Sequence, residues 1–433
     1  MSVPKLNRSQ FQDALTKGLG RAVAYVRVYG ESGVREDILH ACSHNLVYDP
    51  QCECDRLDYL LNLIALSSDV PHYERAICRA LAETSDTWDA LQLAALAGVF
   101  ARRGSAEARR AVYNCFERTA LDEAVGDQEI MLLEGLKGFL WMVSRHGSRL
   151  AADLEKRPTT TYYRPDLAWR ASHLFSEQVV LQTLSAEATA CAGARTYLDA
   201  VKRYWLRKER RSSEDRNIPT VDEVLRNVED GKDPNWRFAR HASDSEINTI
   251  FEYMLNETRL DQLVKLLRIF VKREVPRLDG RLFELAEHEE AIIRRLAMRA
   301  LGKSDDLWVR EFAFSLLKRC PQSAGEGAIN MLFHTYQAGD HEVIERVLPV
   351  VFSAESRHTL SMDILALAES YQDPCLAQSL LWLYECGPST NYRCRAVECM
   401  LKIDVAPQWL FQECLDDCNS ETRELAAAGG RAE

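Results

Sequence analysis

Four side chains between positions 40 and 54 have the types and the number that a structural zinc site needs: His40, His44, Cys52 and Cys54. Zinc takes four nitrogen or thiolate ligands in a tetrahedron, so a His2Cys2 set is formally complete. The spacing argues the other way. Val34, Ile38, Ala41 and Cys42 make one apolar stripe, which predicts a helix over 34–44 with His40 and His44 one turn apart on its polar side, beside Asp37. Cys-x-Cys is not the usual knuckle spacing, and Cys54 stands just before a helix start read at Asp55, where it can pack on Tyr59. The reading is therefore core thiols and solvated histidines, with no bound metal and no cofactor.

Two other constellations bear chemistry. Arg35 and His40 have the R-x4-H spacing used by HEPN-type ribonucleases, whose pair converges across a dimer on a ribose 2′-hydroxyl. So short a pattern arises readily by chance. The chain has no Gly-rich phosphate loop, no G-x-S-x-G and no H-E-x-x-H, so nucleotide, acyl-transfer and zincin chemistry lack support and no catalytic residue is expected. The stretch Lys202, Arg203, Tyr204, Trp205, Arg207, Lys208, Arg210 and Arg211 interleaves cations with aromatic rings, a combination that seeks phosphates and stacks on bases. It also fits a solvated helix end, where the macrodipole favours cations.

The elements that carry these residues follow from composition and rhythm. The chain has 433 residues, 46% hydrophobic and 27% charged, enough to bury a sizeable core. Its 13 cysteines fit reduced thiols serving as small hydrophobes. Cys375, Cys386, Cys394, Cys399, Cys414 and Cys418 crowd one region and are read as core, with Cys414 and Cys418 one turn apart on a helix. No run approaches the ~18 apolar residues of a membrane span. The opening "MSVPKLNRSQ" lacks the layout of a signal peptide, so a cytoplasmic protein is expected. The net charge of −11 is uneven: residues 1–210 hold 27 basic and 27 acidic side chains, residues 211–433 hold 27 and 38. The acidic half repels phosphate backbones.

Amphipathic segments of about 12–17 residues recur along the chain, each closed by Gly, Pro, Asp or Asn. They include "DRLDYLLNLIALSS", "TWDALQLAALAGVFARRG", "SAEARRAVYNCFERT", "LDQLVKLLRIFVKRE", "HEVIERVLPVVFSA" and "CLAQSLLWLYECG". No strand ladder is legible, and the Thr-rich "RPTTTYYRP" reads as a loop between prolines. Short helices of similar length bury their stripes by stacking in antiparallel pairs. Glu290 with Arg294 and Ala297, Asp306 with Arg310 and Ala313, and Asn419 with Arg423 and Ala426 repeat one pattern: a cap, an Arg four residues later, an Ala three after that. Asn391 and Arg395 keep its first two positions.

This pattern resembles the second helices of HEAT and HEAT-like repeats, most closely over 280–320 and 388–430. The resemblance implies an all-α superhelix, a solenoid of antiparallel helix pairs, that binds other macromolecules. Residues 1–210 are read as an N-terminal helical-repeat region, Arg211 to Thr220 as a linker or loop, and 221–433 as a C-terminal HEAT-like region, the alternative being one continuous solenoid. The functional expectation is a non-catalytic scaffold or complex subunit whose partner is another protein. The alternative is a solenoid that binds or cuts nucleic acid through Lys202 to Arg211.

Overall fold

The computed structural model describes residues 3–429 apart from 55, 121, 122, 124, 157–165, 215–217, 235 and 352; the side chains of 153–156, 206–214 and 236 also lie outside the description. Every regular element among the described residues is helical, 25 α-helices and four 3-10 turns, with no strand. The chain is an all-α protein. No described helix is long and apolar enough to cross a membrane.

Local rules account for the helices well. In the pair Thr87–Arg102 and Ala106–Arg118, Asp86 accepts from the N–H groups of Trp88 and Asp89 and Ser105 accepts from Ala108 N, so each first turn is capped. Gly104, at φ +103°, makes the left-handed turn between them. The stripe Leu93, Leu96, Ala97 and Phe100 then faces Val112, Cys115 and Phe116, all buried. Each large side chain withdrawn from water in this way contributes about 1.5–3 kcal/mol. Thr220 with Glu223 and Ser243 with Glu246 form complete capping boxes ahead of Val221–Glu229 and Asp244–Asn256.

The chain divides into two compact units, Met1–Arg216 with Asp416–Cys418, and Asn217–Leu415 with Asn419–Glu433. In the second unit the repeated Arg of the sequence pattern has a shared task. Arg294 donates to both oxygens of Glu326, at 2.8 and 2.6 Å, and Arg310 Nη2 donates to Asp340 Oδ1 at 2.6 Å. Each reaches a carboxylate about one helix pair further along, 32 and 30 residues away. Ala297 and Ala313 are fully buried, which lets the neighbouring helix come close. Asp306 caps Trp308 N, whereas Glu290 occupies its N-cap position without a side-chain bond. A glutamate is one methylene too long to be a favoured cap.

Several expectations need correction. The loop read over Arg211–Thr220 starts later, because the helix Ala192–Glu214 runs through Arg211; serine and glutamate cost a helix well under about 1 kcal/mol each, as little as most residues, so Ser212, Ser213 and Glu214 do not end it. Asp55 lies outside the described residues. Arg56 holds the N-cap position of Leu57–Ala65 without a capping bond. Its Nη1 instead donates to Leu15 O at 3.1 Å and Thr16 O at 2.7 Å, carbonyls at the end of Arg8–Lys17. "HEVIERVLPVVFSA" is not one helix: His341–Val347 gives way to the 3-10 turn Leu348–Val350, since Pro349 cannot continue an α-helix. Gln408–Cys414 stops at Cys414, so Cys418 is buried but not on that helix. Cys375 is exposed, because Pro374 opens a 3-10 turn ahead of Ala377–Cys386 and moves it off the apolar stripe.

Candidate functional site

The starts of three helices in the second unit carry apolar residues that the core does not take. In Leu260–Lys272 it is Leu260, 45% exposed; in Ala291–Leu301, Ile292, 36%; in Leu307–Arg319, Leu307 and Trp308, 59% and 71%. The last case follows from the stripe itself. Val309, Ala313, Leu316 and Leu317 point inward, so the two residues before Val309 fall outside the buried arc.

Beside Trp308 runs an open groove of about 610 Å³ with Phe283 and Phe312 on its floor. Their rings meet edge to face at 5.0 Å, an arrangement that fixes the floor by ring electrostatics as well as area. The polar groups of the rim are chiefly carboxylates: Asp279, Asp306 and Glu311. Asp279 and Asp306 also cap the helices on either side, each accepting from the N–H two residues on. The rim is therefore held in place by backbone. Leu260 and Ile292 border a second groove with Val264.

In the first unit a cavity of about 270 Å³ gathers several residues of the 40–56 stretch, among them Asn45, Pro50 and Cys54, against Trp88 and Glu129. Asn45 N donates to Asp89 Oδ1 at 2.6 Å, and Gln92 Nε2 donates to the carbonyls of Ala41, Cys42 and His44, closing the end of Arg35–Ser43. Asp127, 1% exposed, accepts from Arg170 Nη1 at 2.8 Å, yet burial still holds its carboxyl above the usual range. Burial, reinforced by Asp127, pushes Glu129 up to about 7 against the pull of Arg102 and Arg170. Gly98 makes the approach feasible, since a Cβ there would lie 2.5 Å from Glu129 Cγ.

A carboxyl whose folded pKa is raised favours the fold while protonated, and that contribution is lost as pH climbs from its ordinary 4.5 to about 7. Glu129→Gln, which stays neutral, is expected to raise the melting temperature above pH 7 and to lose that advantage progressively down to about pH 5. Thermal melts across this range check it; an advantage independent of pH would contradict the assignment.

The residues singled out from the sequence are placed as follows. His40 and His44 are exposed with ring centroids 4.3 Å apart, Cys52 is exposed and Cys54 half-buried. Among the described residues no three of these four bring ligand atoms within 4.8 Å of one another. Arg35 does not converge with His40: its guanidinium donates to Glu31 at 2.8 Å. Glu31 also accepts from Ser67 and Tyr73 hydroxyls, both at 2.7 Å, which together with Arg35 hold it down at about 2 despite burial. Positions five apart on a helix lie ~140° apart, so the two side chains diverge. In the basic stretch Lys202, Arg203 and Trp205 are exposed and Tyr204 is half-buried. Arg203 Nε turns back to Asp199 O at 3.2 Å, and the Tyr204 and Trp205 rings meet edge-on at 5.7 Å. The side chains of Arg207, Lys208, Arg210 and Arg211 lie outside the described residues.

The Trp308 groove was missed by sequence reasoning, although its signal was present: a Leu-Trp pair at the first two helical positions, out of phase with the stripe behind it. No known protein family matches the chain, and no curated protein sequence matches it.

Proposed function

We propose that the protein is a HEAT-like scaffold that binds another protein without catalysis, and that the groove beside Trp308 is where a partner segment docks. The observation that carries this is an indole 71% exposed above a preformed aromatic floor. Single exposed hydrophobes are common on surfaces, but tryptophan is among the residues, with tyrosine and arginine, in which interface hot spots are enriched. The carboxylate rim selects the occupant: an apolar anchor flanked by Lys or Arg. Its acidic surroundings steer such a segment and reject acidic ones.

The rival reading, nucleic-acid binding through Lys202 to Arg211, differs in its response to salt. Affinity that rests on a few phosphate contacts is small at the outset and falls with each counterion released, so little of it is left between about 50 and 200 mM salt. Binding to labelled single- and double-stranded DNA and RNA is expected to be weak and to vanish at the higher salt. Tight binding that persists at about 200 mM and is lost when Arg203, Arg207, Lys208 and Arg211 are changed to Glu would overturn the scaffold reading.

A further inference from the structure

His341 opens the helix His341–Val347, and Asp373 and Cys375 flank Pro374 at the 3-10 turn Pro374–Leu376. A ring nitrogen of His341, a carboxylate oxygen of Asp373 and the sulfur of Cys375 lie within 4.8 Å of one another. The surroundings hold these groups in place. Asp373 Oδ1 accepts from Cys375 N and Oδ2 accepts from the Tyr336 hydroxyl, each at 2.9 Å. Arg310, bound to both Asp340 and Thr335 O, anchors the segment that leads into His341. His341 Nδ1 is buried and has no hydrogen-bond partner. An imidazole nitrogen in that state costs free energy that a ligand can recover.

We propose that His341, Asp373 and Cys375 form a three-ligand site for a borderline-soft divalent cation of the zinc class. A nitrogen, an oxygen and a sulfur donor together exclude the all-oxygen preference of magnesium and calcium and suit zinc, which accepts all three. Ligand atoms in a tetrahedral zinc site stand ~3.3–3.8 Å apart, so any pair near the 4.8 Å limit must draw in by about 1 Å. Cys375 is exposed and its side chain is able to rotate to supply this. Binding takes the thiolate and releases the Cys375 proton to solvent. Three protein ligands leave the fourth position of a tetrahedron to water, as in labile or reactive zinc sites and unlike closed structural ones. Tyr336, donating to the carboxylate from behind, acts as the orienting partner that metal-bound carboxylates ordinarily have.

The test uses the full chain, reduced with a non-chelating phosphine, stripped of metal and titrated with cobalt(II) and then zinc(II). The expected result is one equivalent of cobalt, a thiolate-to-cobalt charge-transfer band, and loss of that band as zinc displaces cobalt. Cys375→Ser abolishes the band, and its exposed position leaves the fold intact by circular dichroism. His341→Ala and Tyr336→Phe weaken binding, the latter by about tenfold or more. Cys320→Ser, at an exposed thiol outside the cluster, and the double change of Cys52 and Cys54 to Ser leave the band unchanged. A parent chain without the band, or a band that survives Cys375→Ser, overturns the proposal.

Discussion

Gly147→Ala is expected to lower the melting temperature of the first unit by several degrees, although alanine is the better helix former. Gly147 lies inside Leu136–Lys156 and faces Gly193 in the first turn of Ala192–Glu214. A Cβ at 147 would sit 1.8 Å from Gly193 O and 2.5 Å from its carbonyl carbon; one at 193 would sit 2.3 Å from Ser144 O. These are backbone atoms, so no side chain can swing aside and the two helices must separate. Propensity favours alanine by about 0.5–1 kcal/mol. Overpacking costs about 1–3 kcal/mol and exceeds that where backbone is struck. The net loss of about 2 kcal/mol corresponds to roughly 4–8 °C for a unit of this size. Gly33→Ala, with nothing within 4 Å of its added Cβ, serves as the control and is expected to leave the midpoint within a degree or so. A Gly147→Ala protein as stable as the parent would show that the two helices do not meet through these glycines.

The features legible in the sequence are those whose causes are local. Asp306 announces its helix because a cap acts within three residues. The recurrent Arg was visible as a repeat, but its carboxylate was not, because Glu326 and Asp340 come to it through the packing of the intervening helices. Pro349 ends its helix by its missing N–H, a local signal that the apolar rhythm on both sides of it hides. Helical phase alone places Cys375 in the core, and Pro374 changes that phase by opening a tighter turn. The glycine pair fails for a different reason: position 147 tells nothing until 193 is known to face it. The same holds for His341, which no local pattern joins to Asp373 and Cys375.

Trp308→Ala is expected to weaken the partner complex by about 2 kcal/mol or more, at least about thirtyfold, while leaving stability nearly unchanged. Both halves follow from position. The ring is largely exposed, so the fold gains little from it, yet it borders the aromatic floor where a partner's anchor would be desolvated. Glu311→Lys reverses one charge of the rim and is expected to act in the same direction, chiefly by slowing association.

The most direct measurement places a photoreactive benzoylphenylalanine at position 308, and separately at Trp169, which is 58% exposed in the first unit, within cells of the native source. The account predicts one discrete cross-linked protein from position 308, absent from position 169 and lost when Glu311→Lys is added. Its cross-linked segment, mapped by mass spectrometry, should carry an apolar residue flanked by Lys or Arg. Equal products from both positions, no product from 308 in a folded chain, or capture through an acidic segment would contradict it.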